Sequence, residues 1–246
     1  MRTVSLLFHD VYATNPRESG FASDAADRYK LSARAFDAHL DAIAGAGDVP
    51  FLITADDGGV SYYTMLAERL EARGWRGYCF VSTNQIGTRG FLDPAQIREL
   101  DRRGHLIGSH SASHPTRFSA CSPEQMREEW TVSRKVLQDV LGHDVTVASV
   151  PGGYYSKAVA RSAAASGIRM LFNSEPVTSL DDVDGCLVAG RFTIRRGDPP
   201  AMSGRLLHPA PFARWSAWTR WNAKGLVKPI LGPAYMRLAD LVAGHE

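Results

Sequence analysis

Cysteine is scarce in this 246-residue chain: three, at positions 79, 121 and 186, with no C-x-x-C pair. That spacing excludes a disulfide framework and a thiolate zinc site, and leaves reduced, mostly buried thiols. Long apolar runs are also missing. No stretch reaches the roughly 18 residues a spanning helix needs. The opening MRTVSLLFHD meets His9 and Asp10 too soon for a secretion leader, so the cytoplasm is the expected compartment. Internal repeats and low-complexity segments are absent. The apolar fraction of 44% and charged fraction of 22% exclude global disorder.

Charge of one sign is lacking overall but not locally. Residues 191–246 hold nine Arg or Lys against Asp198, Asp240 and Glu246, a net of +6. The total is +2, so residues 1–190 carry −4. The chain accordingly reads as two parts, a domain over 1–195 and a basic extension over 196–246.

What is present is an alternation. VSLLF, FLITA, YCFVS, LIGS, VTVAS, MLFNS and VAGRFTI read as seven short buried strands, each bounded by Gly, Pro or charge. Between them Phe36, Leu40 and Ile43, then Tyr63, Leu66 and Leu70, recur at helical spacing. Ser122, Pro123 and Gln125 form a helix-opening signature. Strand followed by helix, repeated, predicts parallel strands with helices outside. The polar connection from Val11 to Lys30 is long enough to be a functional or mobile loop.

Three segments carry chemistry. In FLITADDGGVSYYTM a buried strand ends on Asp56 and Asp57, whose mutual repulsion demands a cation or a shared proton; Gly58 and Gly59 then clear space for a substrate. In LIGSHSASHPT, His110 and His114 are four apart, a spacing that on a helical turn turns both imidazoles toward one metal ion. In VASVPGGYYS a strand breaks into Pro151, Gly152 and Gly153, where a backbone N–H can serve an oxyanion.

In this order, TADDG, HSASH and SVPGG resemble the motifs of the polysaccharide deacetylase family, the carbohydrate-esterase group built on the chitooligosaccharide deacetylase homology domain. The first motif is usually T-F-D-D-G, with Ala55 here for the aromatic. The second, H-[ST]-x-x-H, is matched without departure. The third, R-x-P-x-G, has Ser149 where the family has arginine. The resemblance covers roughly residues 1–195. It implies an α/β fold, a distorted (β/α) barrel of about seven parallel strands, with Asp57, His110 and His114 holding one divalent cation, most often zinc. It makes Asp56 the general base, puts an oxyanion donor near Gly152, and implies hydrolysis of an N-acetylated sugar in an oligosaccharide, polysaccharide or lipid-linked precursor. Tyr63 and Tyr154 are candidates for stacking on sugar rings. Two alternatives stay open: a glycan-binding pseudoenzyme, because of Ser149, or an amidohydrolase of the same fold acting on a small non-sugar amide.

Two residues need assignment from position. The missing arginine calls for a substitute, and Arg191 in AGRFTIRRG can bring a guanidinium from a late strand. The family's L-x-H motif supplies the acid for the leaving amine, and two histidines compete for it: His9 in LLFHD and His208 in RLLHP. Some members carry the motifs in circularly permuted order, and His9 follows an apolar strand whose end falls on the catalytic face. His9 is the expected acid, tuned by Asp10 or an acid from LDDVDG. The extension interleaves Trp215, Trp218 and Trp221 with Arg214, Arg220 and Lys224. Such a helix suits peripheral contact with the inner face of a membrane, or simply packs over the barrel. No reading motif for nucleic acid accompanies the charge.

Overall fold

The computed structural model describes residues 3–208 and 212–222. The expected basic positions Lys224, Lys228 and Arg237 lie outside them. The strands are β1 (Val4–Phe8), β2 (Val11–Tyr12), β3 (Leu31–Ser32), β4 (Phe51–Ala55), β5 (Tyr78–Val81), β6 (Leu106–Ser109), β7 (Val147–Ser149), β8 (Met170–Phe172), β9 (Leu180–Val183), β10 (Cys186–Ala189) and β11 (Phe192–Thr193). The helices are α1 (Asp24–Asp27), α2 (Ala33–Ala44), α3 (Ala67–Glu71), α4 (Pro94–Arg102), α5 (Pro123–Leu141), α6 (Lys157–Ala165) and α7 (Ala201–Leu207), and residues 212–222 are helical as well. Nine strands form one sheet in the order β11-β1-β4-β5-β6-β7-β8-β10-β9, all parallel except β9. β2 and β3 form a separate small pair.

The two ends of this sheet are close in space. β10 pairs with β8 and β11 pairs with β1, yet only residues 190 and 191 separate them. Three Cα steps cover at most about 11 Å. The sheet therefore curls until its edges nearly meet, and β1, β4, β5, β6, β7, β8 and the β10–β11 run make the seven staves of a distorted barrel. The run VAGRFTI, which reads as one strand, is in fact two, because it crosses the seam between β8 and β1. β9 joins β10 through Asp184 and Gly185, both at positive φ (54° and 79°), as a tight hairpin turn requires.

Strand residues alternate between two cores, as the two-residue period demands. Ile53, Ala55, Cys79, Val81 and Ile107 face outward beneath the helices, in one cluster with Phe36 and Leu40 of α2. Phe80, Phe172 and Ala189 face inward and are packed by Leu52, Tyr78, Val147 and Met170. Leu206 and Leu207 of α7 join the outer core, and Ala213 and Ala217 of the last described helix rest against it. α5 opens with Ser122 and Gln125 in a reciprocal cap and stops at Gly142 with φ of 78°. Among the described residues no helix is long and apolar enough to cross a membrane.

Candidate active site

The inward parity runs from 147 to 149 within β7 and continues past the ends of β4 and β10, from 54 to 56 and from 189 to 191. It delivers Asp56, Ser149 and Arg191 to one point inside the barrel. The Arg191 guanidinium holds Asp56 with both arms: Nη1 donates to Oδ1 at 2.7 Å and Nη2 to Oδ2 at 2.8 Å. Nη2 also donates to Ser149 Oγ at 2.7 Å, and Ser149 Oγ donates to Asp56 Oδ2 at 3.0 Å. Nε reaches the Asn173 carbonyl at 2.9 Å, and Nη1 reaches Thr54 Oγ1 at 3.1 Å. Phe80 and Phe172 flank the cation, with ring centroids 5.7 and 5.9 Å away. Arg191 is fully buried. Burial alone pushes the Asp56 pKa up, but Arg191 and then His110 pull it down by more, so Asp56 is ionised.

Beside Asp56 lie Asp57, His110 and His114, whose ligand atoms all fall within 4.8 Å of one another. Nε2 of His110 and of His114 stand 3.4 and 3.5 Å from Asp57 Oδ1. His110 Nδ1 is 3.1 Å from the Ser149 carbonyl. A carbonyl can only accept, so Nδ1 carries a proton and Nε2 is the ring nitrogen turned toward Asp57. Burial raises the Asp57 pKa, but the hydrogen bond from His110 and the charges of His9, His110 and His114 outweigh it and the net shift is downward. Burial likewise opposes the charge on His110, yet Asp56 and Asp57 raise its pKa; burial and the neighbouring His110 lower that of His114. One carboxylate and two imidazole nitrogens converging at this range fit a divalent cation.

The two histidines do not share a helical turn. Residues 110–114 form an irregular loop in which Ser111 and His114 take positive φ of 62° and 57°, and Asp57 does so at 77°. Three of the four non-glycine residues with positive φ among the described residues thus lie in this cluster, backbone strain held by the surrounding packing. Glu129 of α5 pins the loop: its Oε2 accepts from the Ala112 and Ser113 amides at 2.9 and 2.8 Å.

The other expected site residues divide. His9 follows β1, half-buried, with its ring 4.9 Å from Tyr29 and its charge among those acting on both aspartates. Its buried Nδ1 has no hydrogen-bond partner among the described residues. Asp10 does not supply one, since its Oδ1 accepts instead from Ser19 and Ser61 at 2.6 and 2.8 Å. Asp181, Asp182 and Asp184 are exposed around the β9–β10 turn. Neither source makes a hydrogen bond to His9 among the described residues. His208 is exposed at the end of α7, which packs on α2 outside the barrel.

Gly152 adopts φ of 60°, and its N–H has no acceptor among the described residues. Tyr154 flanks it: a Cβ at 152 would come within 3.3 Å of the Tyr154 ring. Tyr63 is misplaced in the sequence reading. Its ring lies under Arg103, just before β6, at the opposite end of the strands. The space at Gly58 and Gly59 is not for substrate either, because Cβ atoms there would run into Val81 and into the Asp10 carboxylate.

The connection from 11 to 30 has its own anchor. Buried Lys30 donates to the carbonyls of Pro16, Ser19 and Phe21 at 2.7–2.8 Å. This holds Phe21 against His114, with ring centroids 4.9 Å apart, and Tyr29 against His9. Sequence reasoning missed these wall residues and Glu129, none of which carries a motif.

With this geometry in hand, comparison is informative. The sequence matches the polysaccharide deacetylase family profile over residues 46–171, half of the chain. The chain belongs to the polysaccharide deacetylase family. It is 28% identical over 153 residues to YxkH of Bacillus subtilis (strain 168), covering 62% of this chain and about half (53%) of that relative's length. Among solved structures, this chain superposes on the Streptococcus pyogenes deacetylase PplD in complex with acetate with a TM-score of 0.72 at 18% identity, covering 85% of this chain and 99% of that one. IcaB from Ammonifex degensii gives 0.68 at 19% identity over 83% and 97% of the two chains. At such identities the likeness concerns the fold, a curled, mainly parallel sheet with helices outside.

Proposed function

We propose that this deacetylase-family chain is a metal-dependent hydrolase that removes N-acetyl groups from an N-acetylated sugar in an oligosaccharide, polysaccharide or lipid-linked glycan precursor. The observation that carries the reading is the adjacency of a buried, ionised Asp56, fixed by Arg191, to the Asp57–His110–His114 cluster. Asp57, His110 and His114 would hold the cation, zinc by donor type, which when bound would polarise an amide carbonyl and lower the pKa of attacking water. Asp56 accepts the proton of that water, because Arg191 keeps its carboxylate ionised and immobile. The Gly152 N–H stands ready for the developing oxyanion. His9 donates a proton to the departing amine, and Tyr154 lines the approach.

Ser149 motivates the pseudoenzyme alternative, but Arg191 provides a guanidinium from the link between β10 and β11, which favours catalysis. The test is acetate release from N-acetylglucosamine oligomers by metal-reconstituted protein, with Asp56→Asn as control. Release that depends on Asp56 is expected. No release from any oligomer, with release from a small non-sugar amide, would instead support the amidohydrolase alternative.

The last described helix supports a place of action. Phe212, Trp215 and Trp218 are exposed at three-residue intervals on a segment of net positive charge, which suits the inner face of an anionic membrane where a lipid-linked glycan is met. Flotation with phosphatidylglycerol vesicles checks this. Equal binding by the full chain and by a Phe212/Trp215/Trp218→Ser variant rejects it.

A further inference from the structure

A cavity of about 150 Å³ opens between the C-terminal ends of β8 and β11, at the same end of the barrel as Asp56. Ser174, Arg195, Asp198, Arg220 and Trp221 line it, and Arg191 is the wall it shares with Asp56. Both flanks are parts of the candidate active site. On one, Gly153 is so close that a Cβ there would lie 2.9 Å from Ser174 Oγ and 3.7 Å from Trp221 Cη2. On the other, the Arg195 guanidinium stacks 5.3 Å from the Tyr29 ring centroid, and Tyr29 abuts His9.

The charge in this cavity is unbalanced. Arg191 is consumed by Asp56. Among the described residues neither Arg195 nor Arg220 forms an ion pair: Arg195 has the Tyr29 face, and Arg220 Nε donates to the Ser216 carbonyl of its own helix at 3.3 Å. Asp198, the one carboxylate in the lining, accepts at 2.8 Å from the backbone N–H of Arg195. Two guanidinium groups, each a planar fork of donors suited to carboxylate and phosphate oxygens, therefore remain available beside an indole. Size narrows the ligand further. Pockets that enclose a whole small ligand run to about 300–1,000 Å³, so this one accommodates a substituent and not a saccharide chain.

We infer that the cavity is a subsite for an anionic substituent, a phosphate ester or a carboxylate, on the same sugar whose N-acetyl group is presented to Asp56. Arg195 and Arg220 are its charge partners, and Trp221 packs against the ring that carries it. This rests on the deacetylase reading above. It also gives the segment after residue 195 a role in choosing substrate.

The experiment compares N-acetylglucosamine, N-acetylglucosamine 1-phosphate and N-acetylmuramic acid on the full-length, metal-reconstituted protein, by calorimetric binding and by acetate release. At least one anionic sugar is expected to bind about tenfold or more tightly than the neutral one, as loss of charge-assisted hydrogen bonds would predict, and which one it is separates phosphate from carboxylate. In Arg195→Gln and Arg220→Gln proteins that preference should collapse, with the loss in KM and not in kcat. Arg196→Gln, on an exposed arginine that bonds Tyr12 outside the cavity, should keep it. Absence of preference in the wild type, or preference that survives both substitutions, overturns the subsite. If no sugar is hydrolysed, the deacetylase reading falls, while an anion preference in binding that needs Arg195 and Arg220 still upholds the subsite.

Discussion

Replacing Arg191 by methionine removes the guanidinium while keeping much of its volume between Phe80 and Phe172. The side chain makes five hydrogen bonds, two of them to Asp56, and is inaccessible to solvent. Its loss strands a buried carboxylate, and breaking one partner of such a pair costs about 3–5 kcal/mol. For a chain of this size each kcal/mol moves Tm by roughly 2–4 °C, so a fall of roughly 6–20 °C is expected. The measurement belongs in metal-stripped protein, where no cation can substitute for the guanidinium. Adding Asp56→Asn to Arg191→Met should recover part of the loss, because a neutral amide no longer needs a counter-charge; that recovery separates an electrostatic role from a packing one. A Tm within a degree or two of wild type for Arg191→Met, or an Asp56→Asn that deepens the loss, refutes the pairing argument.

Metal content measured by elemental analysis should be close to one divalent cation per chain and should largely vanish in His110→Ala and His114→Ala, since three ligands leave none to spare. His9→Ala should lower turnover by about 10²- to 10⁴-fold with metal retained, whereas His208→Ala, exposed at the end of α7, should do little; the reverse ranking moves the acid to the tail. Glu71 is held by both arms of Arg103 at 2.8 Å and also by His105 at 3.1 Å, which depress its carboxyl from 4.5 to about 2. A depressed carboxylate stabilises above its unfolded pKa and stops doing so as pH falls through the folded one. Glu71→Gln should thus cost on the order of 1 kcal/mol at pH 7 in this partly exposed setting, and that difference should close between pH 4.5 and 2 in thermal unfolding. Ser149→Arg, which restores the family residue, should destabilise the protein by more than about 1 kcal/mol through overpacking, because Arg191 already fills the space. Unchanged Tm in that variant would show the two positions to be independent.

Much of the barrel was legible because its strands are short apolar runs cut by Gly, Pro and charge, a pattern set by local burial alone. The capped start of α5 was legible for the same reason, since Ser122 and Gln125 bond to each other's backbone within one turn. What failed depended on distant partners. The space beside Gly59 is filled by Asp10, forty-nine positions away by numbering. Tyr63 follows the motif in sequence, but its ring packs under Arg103, which precedes β6. The Asp184–Gly185 dipeptide was a legible hairpin signal that the reading passed over in favour of its carboxylates.

Ser149 and Arg191 show why a motif can look broken and the site still be assembled. A guanidinium must reach Asp56 from somewhere inside the barrel, and only inward-facing positions near the strand ends qualify. Position 149 on β7 is one, and position 191 at the seam is another. The interior has volume for one long cation between Phe80 and Phe172, so an arginine at 191 requires a small residue at 149. Serine does more than fit, because its hydroxyl accepts from Arg191 and donates to Asp56, closing a three-membered network in which each polar atom is satisfied. The chemical requirement at Asp56 is thus met by one position on β7 and one at the seam between β10 and β11, and a motif read along one strand registers only the half that changed to serine.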